Sequence, residues 1–224
     1  MFLLIDKPVG LTSHQVIKKI RQITGEKKVG HSGTLDPLAS GLLVVALGRN
    51  STRRLGYFLK SDKVYEAEIF LGEERTTDDS EGEILKVNKR KPVLTEIKKA
   101  LKSFQGENQQ IPPLYSAIKI KGKKAYDLAR KGLQLELKPR KVFFYSLRLI
   151  DYKYPLVKLT CRVSAGTYIR ALARDLGHLL GTGAYLKSLR RLSIGDFSLG
   201  TAVPLDKLTP ENWQNYIFDD LMIK

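Results

Sequence analysis

One cysteine, Cys161, stands in 224 residues, so the chain has no intramolecular disulfide framework. Three histidines without paired cysteines exclude a structural zinc site of the usual kind. No apolar run approaches the roughly 20 residues that cross a bilayer. The start, MFLLIDKPVG, carries no basic leader before its short apolar run, which Asp6 ends. No signal peptide is expected, and by exclusion the expected location is the cytoplasm, with no membrane partner. There is no Gly-Lys-Ser/Thr phosphate loop, serine elbow or thioredoxin-like cysteine pair. Acidic charge is scarce as well: 23 Asp and Glu face 39 Lys and Arg, a net charge of +16 at pH 7. Such a surplus draws polyanions by counterion release and steering, which makes nucleic acid the leading partner class. A basic protein that only binds RNA would have the same balance, so charge alone does not decide function.

What is present is ordinary for a globular chain, with 42% hydrophobic and 28% charged residues, and long enough for one large domain or two small ones. FLLI opens as a strand. Thr12 and Gln15 then have capping-box spacing, Val16, Ile20 and Ile23 share a helical face, and Gly25 offers a stop. LLVVAL, 42–47, has the character of a buried strand. In VYEAEIFL, Tyr65, Ala67, Ile69 and Leu71 alternate with Glu66 and Glu68, as in a half-buried strand. The segment EERTTDDSEGE reads as a solvated acidic loop, and Leu94 to Phe104 as a helix. Strands are expected around 142–150 and 156–163, the second with Val157, Leu159, Cys161 and Val163 on one face. Cys161 is most simply a core residue. A helix from about Thr167 to Leu176 precedes the basic run GAYLKSLRRLSIGDF. Few βαβ units can be drawn, so an α+β fold with a mixed, largely antiparallel sheet and flanking helices fits best.

GHSGTLDPLASG, 30–41, poses the chemical question. Asp36 either caps its own Asp-Pro turn or is a functional carboxylate on a loop tied to the following strand. Arg170 falls in the first turn of its expected helix, where a cation opposes the helix dipole and an anionic partner offsets the cost. Solvent, phosphate and Asp36 are each possible partners. A guanidinium fork on Asp36 would keep the carboxylate ionised, which suits a nucleophile. Tyr65 is either an amphipathic core residue or a base-stacking tyrosine whose hydroxyl assists proton transfer. His31 either closes a local turn or positions RNA. Residues 119–141 hold nine Lys or Arg against Asp127 and Glu136. With Tyr115 and Tyr126 among the lysines, this stretch reads as an RNA surface.

Several long segments resemble the family of bacterial tRNA pseudouridine synthases that modify the T-loop uridine, position 55. VGHSGTLDPLASGLLVVALG is similar to the catalytic segment of that family, and SDKVYEAEIFLG to its tyrosine-bearing strand. PPLYSAIKIKGKKAYDLAR resembles its RNA-gripping insertion, and SAGTYIRALARDLG its arginine-bearing helix. The agreement runs from DKPVGLTS to LRRLSIGDF. The resemblance implies a pseudouridine-synthase-like catalytic fold over 1–224, with a basic insertion around 112–141. It makes Asp36 the catalytic nucleophile, Tyr65 the active-site tyrosine and Arg170 the partner of that aspartate. His31, Tyr115, Lys119, Lys121, Lys123, Lys124, Tyr126, Arg130 and Lys131 become candidate RNA contacts. The uridine would be flipped into the pocket. Asp36 would promote N-glycosidic cleavage, either by adding to the base or at the ribose anomeric carbon, before the uracil rejoins through carbon 5. No cofactor and no metal are implied. The expected partner is tRNA, chiefly its T arm, with no obligate protein partner and a monomeric chain. The residues after LRRLSIGDFSLGTAVPLDKL are too few for the extra C-terminal RNA-binding domain of many members, so none is expected. A pseudouridine synthase for another RNA, an RNA chaperone and, from Asp78, Asp79 and Glu81, a magnesium-dependent nuclease are the alternatives.

Overall fold

The computed structural model describes residues 1–116, 118–120, 122–129 and 137–218. The chain begins with β1 (Phe2–Lys7), α1 (Ser13–Thr24), β2 (Val29–His31) and β3 (Ala39–Leu47). Two short helices, α2 (Gly48–Arg53) and α3 (Leu55–Lys60), lead to β4 (Lys63–Leu71), then β5 (Glu73–Arg75) and β6 (Ile84–Val87). Next come α4 (Leu94–Ser103), β7 (Gly106–Gln110), β8 (Lys119–Ile120), β9 (Lys123–Lys124) and α5 (Ala125–Ala129). The long strands β10 (Arg140–Lys153) and β11 (Leu156–Val163) follow, then α6 (Ile169–Leu179) and β12 (Ala184–Ile194). The short strands β13 (Phe197–Ser198), β14 (Val203–Pro204) and β15 (Ile217–Phe218) complete an α+β fold with a largely antiparallel sheet. Among the described residues no helix is long and apolar enough to cross a membrane.

The chain forms two compact units, Met1–Glu66 with Leu189–Lys224, and Ala67–Ser188, with the boundaries inside β4 and β12. In the first unit β3 lies antiparallel to β1 and parallel to the end of β12, with Arg191 opposite Gly41. Every residue of β3 is buried because both its faces are covered. Leu43 and Val45 pack with Val16, Ile17 and Ile20 of α1, while Leu42 and Val44 pack with Phe58 of α3 and Ile194. Helix α1 starts as expected: Gln15 N–H donates to the Thr12 hydroxyl at 3.1 Å, and Gln15 Oε1 accepts from Thr12 N–H at 2.7 Å. It ends at Gly25, whose φ of 69° is left-handed and favours glycine.

In the second unit the strand order is β4-β11-β10-β7. Val142, Phe144 and Leu147 of β10 and Val157, Leu159, Cys161 and Val163 of β11 are buried. Helix α4 packs against β10 and α6. The alternation expected in VYEAEIFL is present, with Tyr65, Ala67, Ile69 and Leu71 all buried. Helix α6 begins at Ile169, two residues later than expected: Tyr168 is its N-cap, and the Thr167 hydroxyl donates to Ser164 O at 2.9 Å. The acidic stretch is not a solvated loop. It opens with the β5–β6 pair, and Asp79 is 2% exposed and bridges in parallel to Leu186. The basic run after α6 is strand β12, which the charge pattern had hidden.

Candidate active site

The loop between β2 and β3 is fixed from below and from both ends. His31 is paired with Val45, and Ser32 N–H donates to Val44 O at 2.9 Å. Ser13, first residue of α1, both donates to Leu35 O at 3.0 Å and accepts from Leu35 N–H at 2.9 Å. Gly10 N–H reaches Pro37 O at 2.8 Å, and Ala39 N–H reaches Asp36 O at 3.0 Å. Asp36 is half-buried, and the residues on either side of it are tied to the segment Gly10–Ser13. A carboxylate held in this way has little backbone freedom left to lose, which is what a positioned reactive group requires.

Two adjacent arginines of β12 complete the clamp. Arg191 is 1% exposed and donates from Nε to Leu42 O at 2.7 Å and from Nη2 to Gly33 O at 3.2 Å. Arg190 donates to Asp6 Oδ2 at 2.7 Å and to the Ser40 hydroxyl at 3.1 Å. Gly41 lets the two strands meet: a Cβ there would lie 2.3 Å from Arg191 O, and its φ is +103°. Charge patterning marked this run only as basic. The signal available in sequence was its place next to LSIGDF, an apolar strand-like ending.

Burial is the chief reason that His31 has a pKa below its ordinary value, and the nearby charge of Arg191 adds to it. The Gly33 backbone opposes the shift and His14 adds a little to it. Lys63, also buried, donates to Phe58 O, Leu59 O and Ser61 O at 3.0, 2.9 and 2.6 Å, closing the end of α3. Burial and Arg191 push its pKa down to about 8 against the pull of Asp62. Tyr65 follows two positions along β4 on the same buried face. The sign for Lys63 is that of a depressed cation. Between pH 8 and the ordinary value of 10.5 the unfolded chain holds the proton that the folded chain has shed. Stability attributable to Lys63 therefore rises with pH across that window. Denaturant titrations should show the stability of the unchanged protein rising relative to that of Lys63→Met from pH 8 to 10.5. A constant difference would mean that Lys63 keeps its ordinary pKa.

In the second unit Arg170 is 5% exposed at the start of α6. Its Nη1 donates to Thr77 O at 3.2 Å and pairs with Asp79 Oδ2 at 3.3 Å, and its Nη2 donates to Tyr115 O at 2.8 Å. Arg174, one turn on, pairs with Asp78 at 3.0 Å and donates to Ile111 O at 2.8 Å. Burial raises the Asp78 pKa against the pull of Arg174 and Arg170. Gln110 completes the arrangement by bonding the backbone of Tyr168 in both directions, at 2.8 and 3.1 Å. The segment leading to the basic insertion is thus pinned to α6 at three points. The sequence alone reads Asp79 as part of a solvated loop or, in the alternative, of a nuclease site, because its partner lies 91 residues away.

Among the RNA candidates, His31 sits at the end of β2 and Tyr115 is half-buried before β8. Lys119 and Lys124, opposite one another, belong to the β8–β9 hairpin, as does Lys123. The half-buried Tyr126 lies in α5, its N–H bonded to Ser116 O at 3.1 Å. Lys121, Arg130 and Lys131 lie outside the described residues. Among the described residues no group of three or more His, Cys, Asp and Glu is placed to hold a metal ion.

Residues 21–169 match the TruB family pseudouridylate synthase N-terminal domain, and residues 170–223 the tRNA pseudouridylate synthase B C-terminal domain. The chain is 45% identical over 208 residues to tRNA pseudouridine synthase B of Clostridium acetobutylicum, across 93% of this chain and 72% of that protein. It is 46% identical over 201 residues to tRNA pseudouridine synthase B of Chlamydia abortus, across 90% and 85% respectively. Among solved structures it is similar to a chain of a Cbf5-Nop10-Gar1 complex, with a TM-score of 0.74 and 30% identity. That match covers all of this chain and 56% of the other, so the chain spans little more than half of that relative's length. With family matches running from residue 21 to residue 223, the chain belongs to the TruB family of pseudouridylate synthases.

Proposed function

We propose that the protein converts the T-loop uridine of tRNA, position 55, to pseudouridine, with Asp36 acting as nucleophile on a flipped nucleotide. The observation that carries this reading is the setting of Asp36: a half-buried carboxylate on a turn whose flanking residues are bonded to Gly10 and Ser13. The family and the names of its relatives supply the reaction class. In the reaction the bond from ribose C1′ to uracil N1 breaks and a bond from C1′ to C5 forms. The C5 proton leaves and N1 gains one, so the change is an isomerisation that needs no external group. Asp36 promotes the cleavage, Arg170 keeps that carboxylate ionised, and Tyr65 stacks on the base and assists the C5 proton transfer. His31 positions RNA, and the lysines of the β8–β9 hairpin add phosphate contacts. The enzyme acts as a monomer on free tRNA in the cytoplasm, chiefly through the T arm.

Mapping pseudouridine in an unmodified tRNA incubated with the purified protein tests the reading. Conversion at position 55 alone supports it, and conversion elsewhere or none overturns it. The clamp adds a finer expectation. Arg191→Lys retains the charge but cannot bond Gly33 O and Leu42 O through one planar group. Its single-turnover rate at saturating protein should fall at least about tenfold, because small displacements of a reactive group are costly, while tRNA affinity stays nearly unchanged. A rate equal to that of the unchanged protein would show that the clamp does not set the geometry of Asp36.

A further inference from the structure

A sheet with one face packed on helices normally turns polar side chains to water from the other. Strand β10 departs from that rule. Val142, Phe144 and Leu147 face inward, but Phe143 and Tyr145 point outward, 40% and 48% exposed. The register of β10 on β11 shifts between Phe144 and Ser146, so Tyr145 is an inserted residue. A bulge of this kind re-aims a side chain, and here the two outward rings lie with their centroids 4.8 Å apart. The guanidinium of Arg162, from the outward face of β11, sits 5.4 Å from the Tyr145 ring. Lys141, Arg148, Lys153, Lys158 and Arg162 occupy the outward positions of β10 and β11, against Glu107 and Asp151. Glu107 is itself matched to Lys141 at 3.1 Å.

We propose that the outward face of β7, β10 and β11 is a stacking platform for unpaired RNA bases, built on Phe143, Tyr145 and Arg162. Exposed rings on a strand offer π-faces to any base, and the surrounding cations hold the phosphates between them. The charge decides the kind of occupant. A basic face on a chain of net charge +16 fits a polyanion, whereas an apolar protein surface would desolvate these cations. The inference rests on the chain's reading as a tRNA-modifying enzyme and adds a contact surface that the isomerisation itself does not use.

The test uses the full chain and a fluorescent oligouridine of about ten nucleotides, followed by anisotropy near 0.1 M salt, where electrostatic binding remains measurable. Phe143→Ala with Tyr145→Ala should weaken binding about 25-fold or more, about fivefold or more for each stacked base lost. Phe143→Tyr with Tyr145→Phe, which keeps both rings, should bind within about twofold of the unchanged protein. Photocrosslinks from 4-thiouridine placed in the oligonucleotide should map to Phe143, Tyr145 or Arg162. The double alanine variant should retain the single-turnover rate on a saturating T-arm stem-loop. Unchanged affinity in that variant, or crosslinks confined to other residues, would overturn the proposal and leave the face to a protein partner. Loss of the single-turnover rate would also overturn it, because the rings would then serve folding or chemistry. Oligouridine binding needs no turnover, so this result stands apart from whether position 55 is the modified uridine.

Discussion

Asp36→Asn is expected to bind tRNA about as tightly as the unchanged protein and to form no measurable pseudouridine. The amide has nearly the shape of the carboxylate, and several bonds that shape the loop are made by other residues. Leu35 is held by Ser13, Pro37 by Gly10, and Gly33 and Leu42 by Arg191. The backbone carbonyl of residue 36 still accepts from Ala39 N–H. What disappears is the negative charge, and with it the proposed nucleophile. Removing a nucleophile from an otherwise intact site typically costs about 10⁴-fold or more in the chemical step. Release of the C5 proton from tRNA tritiated at that carbon, followed under single-turnover conditions, gives the rate directly. A purified Asp36→Asn protein that releases tritium at close to the normal rate would remove Asp36 from the reaction.

The parts of this fold that could be read from sequence are those whose physics is local. The Thr12–Gln15 box and Gly25 fix the ends of α1 through groups within a few residues of each other. Tyr65 to Leu71 alternate because one face of β4 is buried, and period two is visible without knowing the neighbours. The turn at Asp36 was legible as a loop tied to the core, but not its clamp. Arg190 and Arg191 look like solvent cations in LKSLRRLS, and they become structural only when β12 lies parallel to β3, about 150 positions earlier in the chain. Asp79 failed for the same reason. A carboxylate in TTDDSEGE reads as solvated until Arg170 arrives from α6 to pair with it. Lys63 was missed because a lysine at a strand start seldom turns inward, and here three carbonyls at the end of α3 receive it. Long-range partners of buried charge leave no trace in periodicity. The proposed roles of Asp36, Tyr65 and Arg170 come from the family resemblance, which carries long-range information in motif form.

Arg170 and Asp79 allow a catalytic role to be separated from a structural one. The guanidinium of Arg170 spans acceptors on two segments, Thr77 O with Asp79 on one side and Tyr115 O on the other. Arg170→Lys leaves a charge that cannot reach all three at once. Asp79→Asn keeps the shape but removes the anion beside a buried cation, a change that typically costs about 3–5 kcal/mol. Both variants should therefore unfold at lower denaturant, Asp79→Asn at the lowest. Were Arg170 only a strut within the second unit, each variant would lose activity in step with its unfolded fraction. Working well below both transitions would then restore the rate. The proposed role in holding Asp36 ionised predicts a different split. Under conditions where both are fully folded, Arg170→Lys should stay about a hundredfold or more slow in single turnover, because the fork proposed to act on that carboxylate has been lost. Asp79→Asn, whose arginine is intact, should come within about tenfold of the unchanged protein. Denaturant midpoints taken first, then single-turnover rates at one low temperature, make the comparison. Equal recovery of the two variants would reduce Arg170 to its contacts with Thr77, Asp79 and Tyr115, and would leave the charge on Asp36 to be maintained by other groups.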